Sequence, residues 1–215
     1  MVEKQRSDIL KIIAIISMLI DHVGYTFFPQ LIIFRIIGRI AFPIFTYQIA
    51  EGYAHTTDKK KYMIRIWVFA AISQAPFSLL FQTTTLNVIV TLGLALFAID
   101  SYHQKRYWLM LPPMAASFLV PMDYGLFGVL LALAFYAFRD NKWISILVQI
   151  FMICAFTALN GWPIEYYAVI GSLLVIFLPV QFFRVRIPKY FFYWFYPVHL
   201  IILYVLRLTL CGGYF

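Results

Sequence analysis

An acid and an imidazole lie side by side in the first long apolar stretch of the chain, ILKIIAIISMLIDHVGY. They are Asp21 and His22, and the next apolar stretch carries Arg35 and Arg39, four residues apart and therefore on one helix face. An imidazole can take a proton near neutral pH, a carboxylate can orient it, and an arginine can stabilise an acyl oxyanion or hold a phosphate. This set suits acyl transfer with His22 as the general base. It suits a proton-coupled transporter equally well.

The positions of these residues predict how they meet. Arg39 lies about 12 Å into the second apolar stretch, at about 1.5 Å per residue, and a short turn near Pro29 makes the two helices neighbours. Adjacent helix residues diverge by about 100°, so we expect Asp21 to pair with an arginine while His22 faces a cavity. One alternative is an Asp–Arg ion pair that only locks two helices, with His22 hydrogen-bonded across helices. Another is that Arg35 reaches to the membrane interface.

The composition predicts that these elements are membrane helices. The chain is 63% hydrophobic and 12% charged, with a mean hydropathy of +0.85, whereas soluble proteins are about 45–50% apolar and about 25% charged. The expected fold class is an all-α, polytopic transmembrane helix bundle, forming a single domain over residues 1–215. We expect about nine spans, at residues 8–28, 31–50, 62–82, 86–100, 108–120, 124–139, 143–159, 165–183 and 190–207.

The basic residues predict the orientation of the bundle. Lysine and arginine cluster at the N-terminus and at alternate connections, in HTTDKKKYMIR, YHQKRY, FRDNK and FRVRIPK, whereas the other connections carry none. This positive-inside pattern places the N-terminus in the cytosol. The formal net charge of +8 then belongs mostly to a cytosolic rim, which either orients the protein on anionic lipid or binds a phosphate-rich ligand.

Other polar residues within or beside the spans are further candidates, because ionisable groups in a membrane are costly. Glu51 and His55 are four residues apart near the cytosolic interface, but two ligands are too few to indicate a metal, and helix-end capping is the alternative. Glu165 precedes the eighth span, and His199 is a second intramembrane imidazole, a residue type that more often packs in a bundle than catalyses. The candidate substrate-binding residues are Arg35, Glu51, His55, Asn87, Asp123 and His199. No metal site is predicted.

Five segments in this order resemble the TraX family over nearly the whole chain: LKIIAIISMLIDHVGY, FRIIGRIAFPIFTYQIAEGYAHTTDKKKYMIR, LNVIVTLGLAL, DYGLFGVL and KYFFYWFYPVHLIILY. That family is named for the conjugation protein that acetylates the N-terminal amino group of the F-pilus subunit. The resemblance implies a bacterial inner-membrane acyltransferase of acyltransferase-3-like architecture that uses acetyl-CoA and an intramembrane histidine. It implies a catalytic role for His22, with Asp21 and Arg39 beside it.

The partners expected from the resemblance are acetyl-CoA as donor, membrane lipid, and no nucleic acid. The cytosolic rim would hold the phosphates of the donor through Lys59, Lys60, Lys61 and Arg65, and a cavity should link that rim to His22. The acceptor stays open between a peptide N-terminus, a glycan and a lipid head group. Two other functions stay open: a proton-coupled transporter, which usually shows two related halves that this sequence lacks, and a non-enzymatic pilus or secretion assembly factor.

Overall fold

The computed structural model of the protein describes residues 2–178, 188 and 190–210, with side chains described from residue 8 onward. Within these residues the chain is helical, which confirms the all-α prediction for the described part. Its α-helices are α1 (Val2–Phe27), α2 (Ile32–Gly38), α3 (Ala41–His55), α4 (Lys59–Phe81), α5 (Val88–His103), α6 (Leu111–Leu119), α7 (Gly125–Ala137), α8 (Lys142–Asn160), α9 (Ala168–Phe177) and α10 (Phe191–Leu210). Short 3-10 helices, Tyr107–Met110 and Pro163–Tyr167, lead into α6 and α9.

Five helical segments are long and apolar enough to cross a membrane: Asp8–Phe27, Ile32–His55, Lys59–Phe81, Lys142–Asn160 and Phe191–Leu210. Three shorter apolar segments, Val88–His103, Gly125–Ala137 and Pro163–Phe177, lie between them. The predicted span at 108–120 is a 3-10 turn followed by α6, which is only nine residues long. Two prolines are tolerated at the start of α6 because the N–H groups of a first turn have no helical partner. These segments are those of a membrane protein, with five spans supported by length rather than nine.

The second predicted span is broken in the middle. The sequence predicts one segment over 31–50, but α2 ends at Gly38 and α3 begins at Ala41. Pro43 has no N–H to donate to the carbonyl of Arg39, so the helical hydrogen-bond ladder is interrupted there. At the break the Ile37 carbonyl accepts a hydrogen bond from Ser17 Oγ on α1, in addition to the one from the Ile40 N–H.

The connections between helices gather at two ends of the bundle. At one end a short β-bridge joins Leu86 to Met122, which ties the connection before α5 to the connection before α7. We call this the cavity end. At the other end Tyr53 donates a hydrogen bond to Asp100 at 2.6 Å, which joins α3 to α5. We call this the basic end, because the connections rich in lysine and arginine lie there.

The core has two parts, and the site lies between them. Helices α3, α5 and α7 pack closely through small buried residues such as Ala95, Ala98 and Ala132. A second cluster joins α1, α4 and α10 through Met18, Phe77, Leu80, Tyr196 and Leu200. By contrast, α8 turns large apolar side chains outward, as a lipid-facing helix would: Leu147, Phe151 and Leu159.

Candidate active site

Asp21 is held by both arginines of the broken helix. Arg35 Nη1 lies 2.7 Å from Asp21 Oδ2, and Arg39 Nη2 lies 3.1 Å from Asp21 Oδ1. Arg39 also bonds Glu165 Oε1 through Nη1 at 2.6 Å. Asp21, Arg39 and Glu165 are each 7% exposed, so the ions are paired where an unpaired charge would be costly. Two cations and two anions make the network neutral.

Gly38 is what allows this clamp to form. A Cβ atom on Gly38 would overlap the Asp21 side chain, so α1 and α2 can approach this closely only because residue 38 has none. The four-residue spacing of Arg35 and Arg39 then brings both guanidinium groups to the same carboxylate. The predicted Asp–Arg pairing is therefore present, and it involves both arginines.

His22 pairs with the second imidazole, His199 of α10. Its Nδ1 atom lies 2.8 Å from Nε2 of His199, and the two ring planes differ by 6°. The ring centroids are 5.1 Å apart. With the nitrogens that face each other at hydrogen-bond distance, this separation places the rings end to end in one plane rather than face to face.

The bond on the far side of His199 fixes where the protons lie. His199 Nδ1 is 2.8 Å from the carbonyl oxygen of Phe195, which can only accept, so Nδ1 carries the hydrogen. In neutral His199 the other nitrogen, Nε2, is then an acceptor, and His22 Nδ1 must donate to it. The remaining nitrogen of His22, Nε2, is left with its lone pair and can act as a base.

The expected separation of Asp21 from His22 is present. Among the described residues Asp21 bonds only the two arginines, because the divergence of about 100° between adjacent helix residues turns the two side chains toward different neighbours. His199, predicted to bind substrate, is instead the residue that orients His22.

A cavity of about 500 Å³ lies at the cavity end beside these groups. His22, Arg35, Arg39 and Asp123 line it together with Asp21. Apolar side chains line it as well, including Met18, Phe45 and Phe77, and so do the polar residues Gln82, Thr83 and Thr85 of the α4–α5 connection. The predicted placement of His22 on a cavity wall agrees with this geometry.

Asp123 reaches the cavity from a firmly held loop. Its N–H donates to the Leu86 carbonyl at 2.9 Å, and its own carbonyl accepts from Thr91 Oγ1 at 2.6 Å. The next residue, Tyr124, has a φ of 61° and stacks on Phe42 with ring centroids 3.5 Å apart. Strained backbone of this kind persists only where the surroundings determine it. Burial raises the pKa of the Asp123 carboxyl to about 6.

Three other predicted substrate-binding residues do not line this cavity. Glu51 and His55 lie at the end of α3 at the basic end, where His55 Nδ1 is 3.4 Å from Glu51 Oε2 and its side chain is 62% exposed. Asn87 is fully buried and caps α5. Within the described residues no three His, Cys, Asp or Glu side chains come close enough to hold a metal ion.

Asn87 has a structural role, which is tested by comparing its substitution with that of Asn141, an asparagine that caps another helix. Its side chain accepts from Ile89 N and donates to the carbonyl of Ala70 and to Gln74 Oε1. We expect Asn87→Ala to lower the free energy of unfolding by about 2–4 kcal/mol, through loss of a cap and of buried partners. Asn141→Ala removes only the exposed cap of α8 and should cost about 1 kcal/mol.

Denaturant unfolding of both variants in detergent measures this difference. An Asn87→Ala protein with normal stability would contradict the structural role of Asn87.

The basic residues predicted to hold the donor lie far from the cavity. Lys59 sits over the Tyr53 ring at 4.4 Å, Lys61 pairs with Asp58 at 3.1 Å, and Arg65 donates to the Tyr193 hydroxyl at 3.0 Å. Lys59 and Phe81 are the two ends of α4, about 33 Å apart by helix rise. None of Lys59, Lys60, Lys61 and Arg65 lines the cavity. This cavity therefore does not link the basic rim to His22, contrary to expectation.

Glu165 is the main residue that sequence reasoning left out of the site. It lies in the 3-10 helix before α9 and bonds Arg39 across 126 residues of chain. A signal was present: Glu165 is an acidic residue at a connection without lysine or arginine, the same end at which Arg35 and Arg39 enter. Asp21 neutralises only one of the two arginines, and uncompensated charge in a membrane is costly. Charge balance therefore predicts a second acid at that end.

Comparison with known proteins places the chain. A family model described as TraX protein matches residues 6–207. A probable fimbrial assembly protein, FimC of serogroup H1 from Dichelobacter nodosus, is 28% identical over 233 aligned residues, covering 90% of this chain and 92% of that protein. An uncharacterized protein of Rickettsia prowazekii is 42% identical over 88 residues, which is 40% of this chain and only 34% of that protein. No solved structure matches. Because the family match covers nearly the whole chain in sequence order, the protein belongs to the TraX family.

Proposed function

We propose that this protein is a membrane-embedded acyltransferase that moves an acetyl group from acetyl-CoA to an amine or hydroxyl acceptor. In this proposal nine segments, with α2 and α3 counted as one, cross the inner membrane of a bacterium, with the N-terminus and the basic end in the cytosol. The cavity end then faces outward. The positive-inside pattern of the connections supports this orientation.

The observation that carries the proposal is the imidazole pair at the cavity wall. His22 Nδ1 is occupied by the 2.8 Å bond to His199, and His199 is fixed in turn by the Phe195 carbonyl. A base oriented by a second hydrogen-bonding group is the recurring arrangement for activating a nucleophile. Here an imidazole takes the orienting place that a carboxylate often holds, and it stabilises the charge on His22 when Nε2 accepts a proton.

The reaction follows from the groups around the cavity. His22 Nε2 takes the proton from the acceptor nitrogen or oxygen as that atom attacks the thioester carbon. The carbonyl oxygen becomes an oxyanion, and Arg35 can stabilise it because its side chain is 25% exposed and lines the cavity. When the carbon–sulfur bond breaks, the leaving thiolate takes the proton back from His22. Arg39 is fully engaged by Asp21 and Glu165, so it holds the network in place.

The donor is tested at the basic end by changing one exposed lysine. We expect Lys60→Gln to raise the KM for acetyl-CoA several-fold and leave kcat unchanged, because a phosphate contact there acts on binding alone. Lys142→Gln at the start of α8 is the matched control, since it removes one positive charge from an exposed residue at the same end. Equal KM values for acetyl-CoA in the two variants and the unaltered protein would show that the basic rim does not bind the donor.

A non-enzymatic assembly role is a second candidate, favoured by the likeness to the fimbrial assembly protein over 90% of the chain. In that case the polar groups would only hold helices together. A His22→Gln protein that folds normally would then assemble pili or secreted fibres as well as the unaltered protein does. If the function is acyl transfer, the folded His22→Gln protein should instead fail to support assembly.

A further inference from the structure

Three tyrosines line the cavity, and one of them contacts both imidazoles. The ring of Tyr196, on α10, lies edge to face against the rings of His22 and His199, with ring centroids 6.5 Å and 5.5 Å apart. The other two, Tyr25 and Tyr124, pack on phenylalanine rings. Of the three, Tyr196 is therefore the one placed beside the base.

The hydroxyl of Tyr196 has no use in the fold. The residue is only 6% exposed, yet none of the residues that the structure describes bonds its hydroxyl oxygen. That oxygen is not one of the polar atoms sealed inside the protein, so it opens into the cavity that the side chain lines. Packing alone would favour a phenylalanine, because a buried hydroxyl without a hydrogen bond is costly. Phe81 packs against His22 in that way, with ring centroids 5.1 Å apart.

One turn of α10 fixes both the imidazole pair and this hydroxyl. The Phe195 carbonyl holds His199, and Tyr196 lies three residues before His199, on the same face of the helix. The Tyr196 ring is held in a buried cluster that includes Met18 and Leu200. The hydroxyl is therefore positioned before any ligand enters, as an effective hydrogen-bond donor in an active site must be.

The proposed reaction has a place for one more donor. A developing oxyanion is usually held by more than one hydrogen bond, but Arg39 is occupied by its two acids, and Arg35 gives one nitrogen to Asp21 at 2.7 Å. A base about 3 Å from the attacking atom and a donor about 3 Å from the oxyanion lie about 5–7 Å apart when the acyl group is between them. The 6.5 Å separation of the Tyr196 and His22 rings is on that scale.

We propose that Tyr196 is a further catalytic residue, whose hydroxyl donates a hydrogen bond to the carbonyl oxygen of the acyl group as that oxygen becomes negative. The inference rests on the proposed function and holds for any acceptor. As the acceptor atom bonds to the carbonyl carbon, the electron pair of the C=O bond moves to the oxygen, between Tyr196 and Arg35. When that pair returns, the carbon–sulfur bond breaks and His22 gives its proton to the thiolate. Tyr196 keeps its own proton throughout.

Removal of this single hydroxyl tests the role. Tyr196→Phe keeps the ring contacts, and Tyr204→Phe is the matched control, about two turns further along α10 in the same cluster and outside the cavity lining. Single-turnover rates are measured with acetyl-CoA on the full-length protein in detergent, with Ala-Phe-NH₂ and glycerol as an amine and a hydroxyl acceptor. Tyr196→Phe should lower the rate by about 10²–10³-fold, with acetyl-CoA affinity and unfolding temperature unchanged. Tyr204→Phe should keep the full rate.

A second measurement detects the hydrogen bond without turnover. Acetyl-CoA labelled with carbon-13 at the carbonyl is bound to His22→Ala protein, and the carbonyl stretching frequency is recorded by difference infrared spectroscopy. A donor on the carbonyl oxygen lowers this frequency. Adding Tyr196→Phe should therefore raise it, and adding Tyr204→Phe should leave it unchanged.

Each failure has a separate meaning. A normal rate in Tyr196→Phe, or an unchanged infrared frequency, refutes the role of Tyr196 and leaves acyl transfer by His22 standing. A lower rate that is matched by an equal loss of stability also refutes it, because the residue would then serve only packing. If neither probe is acetylated, the infrared measurement still decides, since it needs only the bound donor. A folded protein that binds no acetyl-CoA overturns the proposed function and this role together.

Discussion

The His22→Ala protein is expected to lose acyl transfer while staying folded. Removing a general base lowers the rate by about 10²–10⁴-fold. The fold should tolerate the change because His22 donates one side-chain hydrogen bond, to His199, and lines a cavity rather than the packed core. Single-turnover rates with acetyl-CoA measure the loss, and denaturant unfolding in detergent measures stability.

The pairing with His199 makes this prediction sharper. His199→Ala removes the group that orients His22, so the rate should fall by a smaller factor than for His22→Ala. The double variant should be no slower than His22→Ala alone, because residues that act as a unit are not additive. His55→Ala is the control imidazole, exposed at the basic end, and should keep the full rate. Additive losses in the double variant would show that His199 acts apart from His22.

Arg39→Gln is expected to give the largest loss of stability. The change leaves Glu165 without its 2.6 Å partner and removes one of two cations from Asp21, with both acids buried. Breaking a buried ion pair by removing one partner costs about 3–5 kcal/mol. Denaturant unfolding of the detergent-solubilised protein measures this change in the free energy of unfolding.

Two further variants show how much of the stability lost in Arg39→Gln is due to the buried acid that it leaves unpaired. Arg35→Gln should cost less, because the Arg35 side chain is 25% exposed and Asp21 keeps Arg39. Adding Glu165→Gln to Arg39→Gln removes the unpaired acid and should recover part of the lost stability. A variant with Arg39→Gln that unfolds like the unaltered protein would contradict the structural role of the network.

Local features of the sequence predict much of the site. Apolar runs give the helices, and the helical spacing of Arg35 and Arg39 with a short turn before them gives the pairing with Asp21. The contact of His22 with His199 could not be predicted, because the two residues are 177 positions apart and meet only when α10 packs against α1. Periodicity shows which face of a helix is polar but not which distant helix covers it.

The expected link between the basic rim and His22 is one place where sequence reasoning failed. α4 separates Lys59 from the cavity by the length of the helix, about 33 Å, so the cavity does not reach the rim. Donor binding by the lysines stays a prediction. The break in the second segment was also missed, although Pro43 was its signal. Helix length and proline position are both readable in a sequence, yet their consequence for the site depends on how the helices pack.

The most direct test of the account is whether the purified protein binds acetyl-CoA and consumes its thioester. Unaltered protein and His22→Ala are compared in detergent, with CoA and a CoA-free buffer as references. The account predicts saturable binding of CoA by both proteins and release of free thiol by the unaltered protein alone. A folded protein that binds no CoA would contradict it, and would leave a transporter or an assembly factor as the function of this fold.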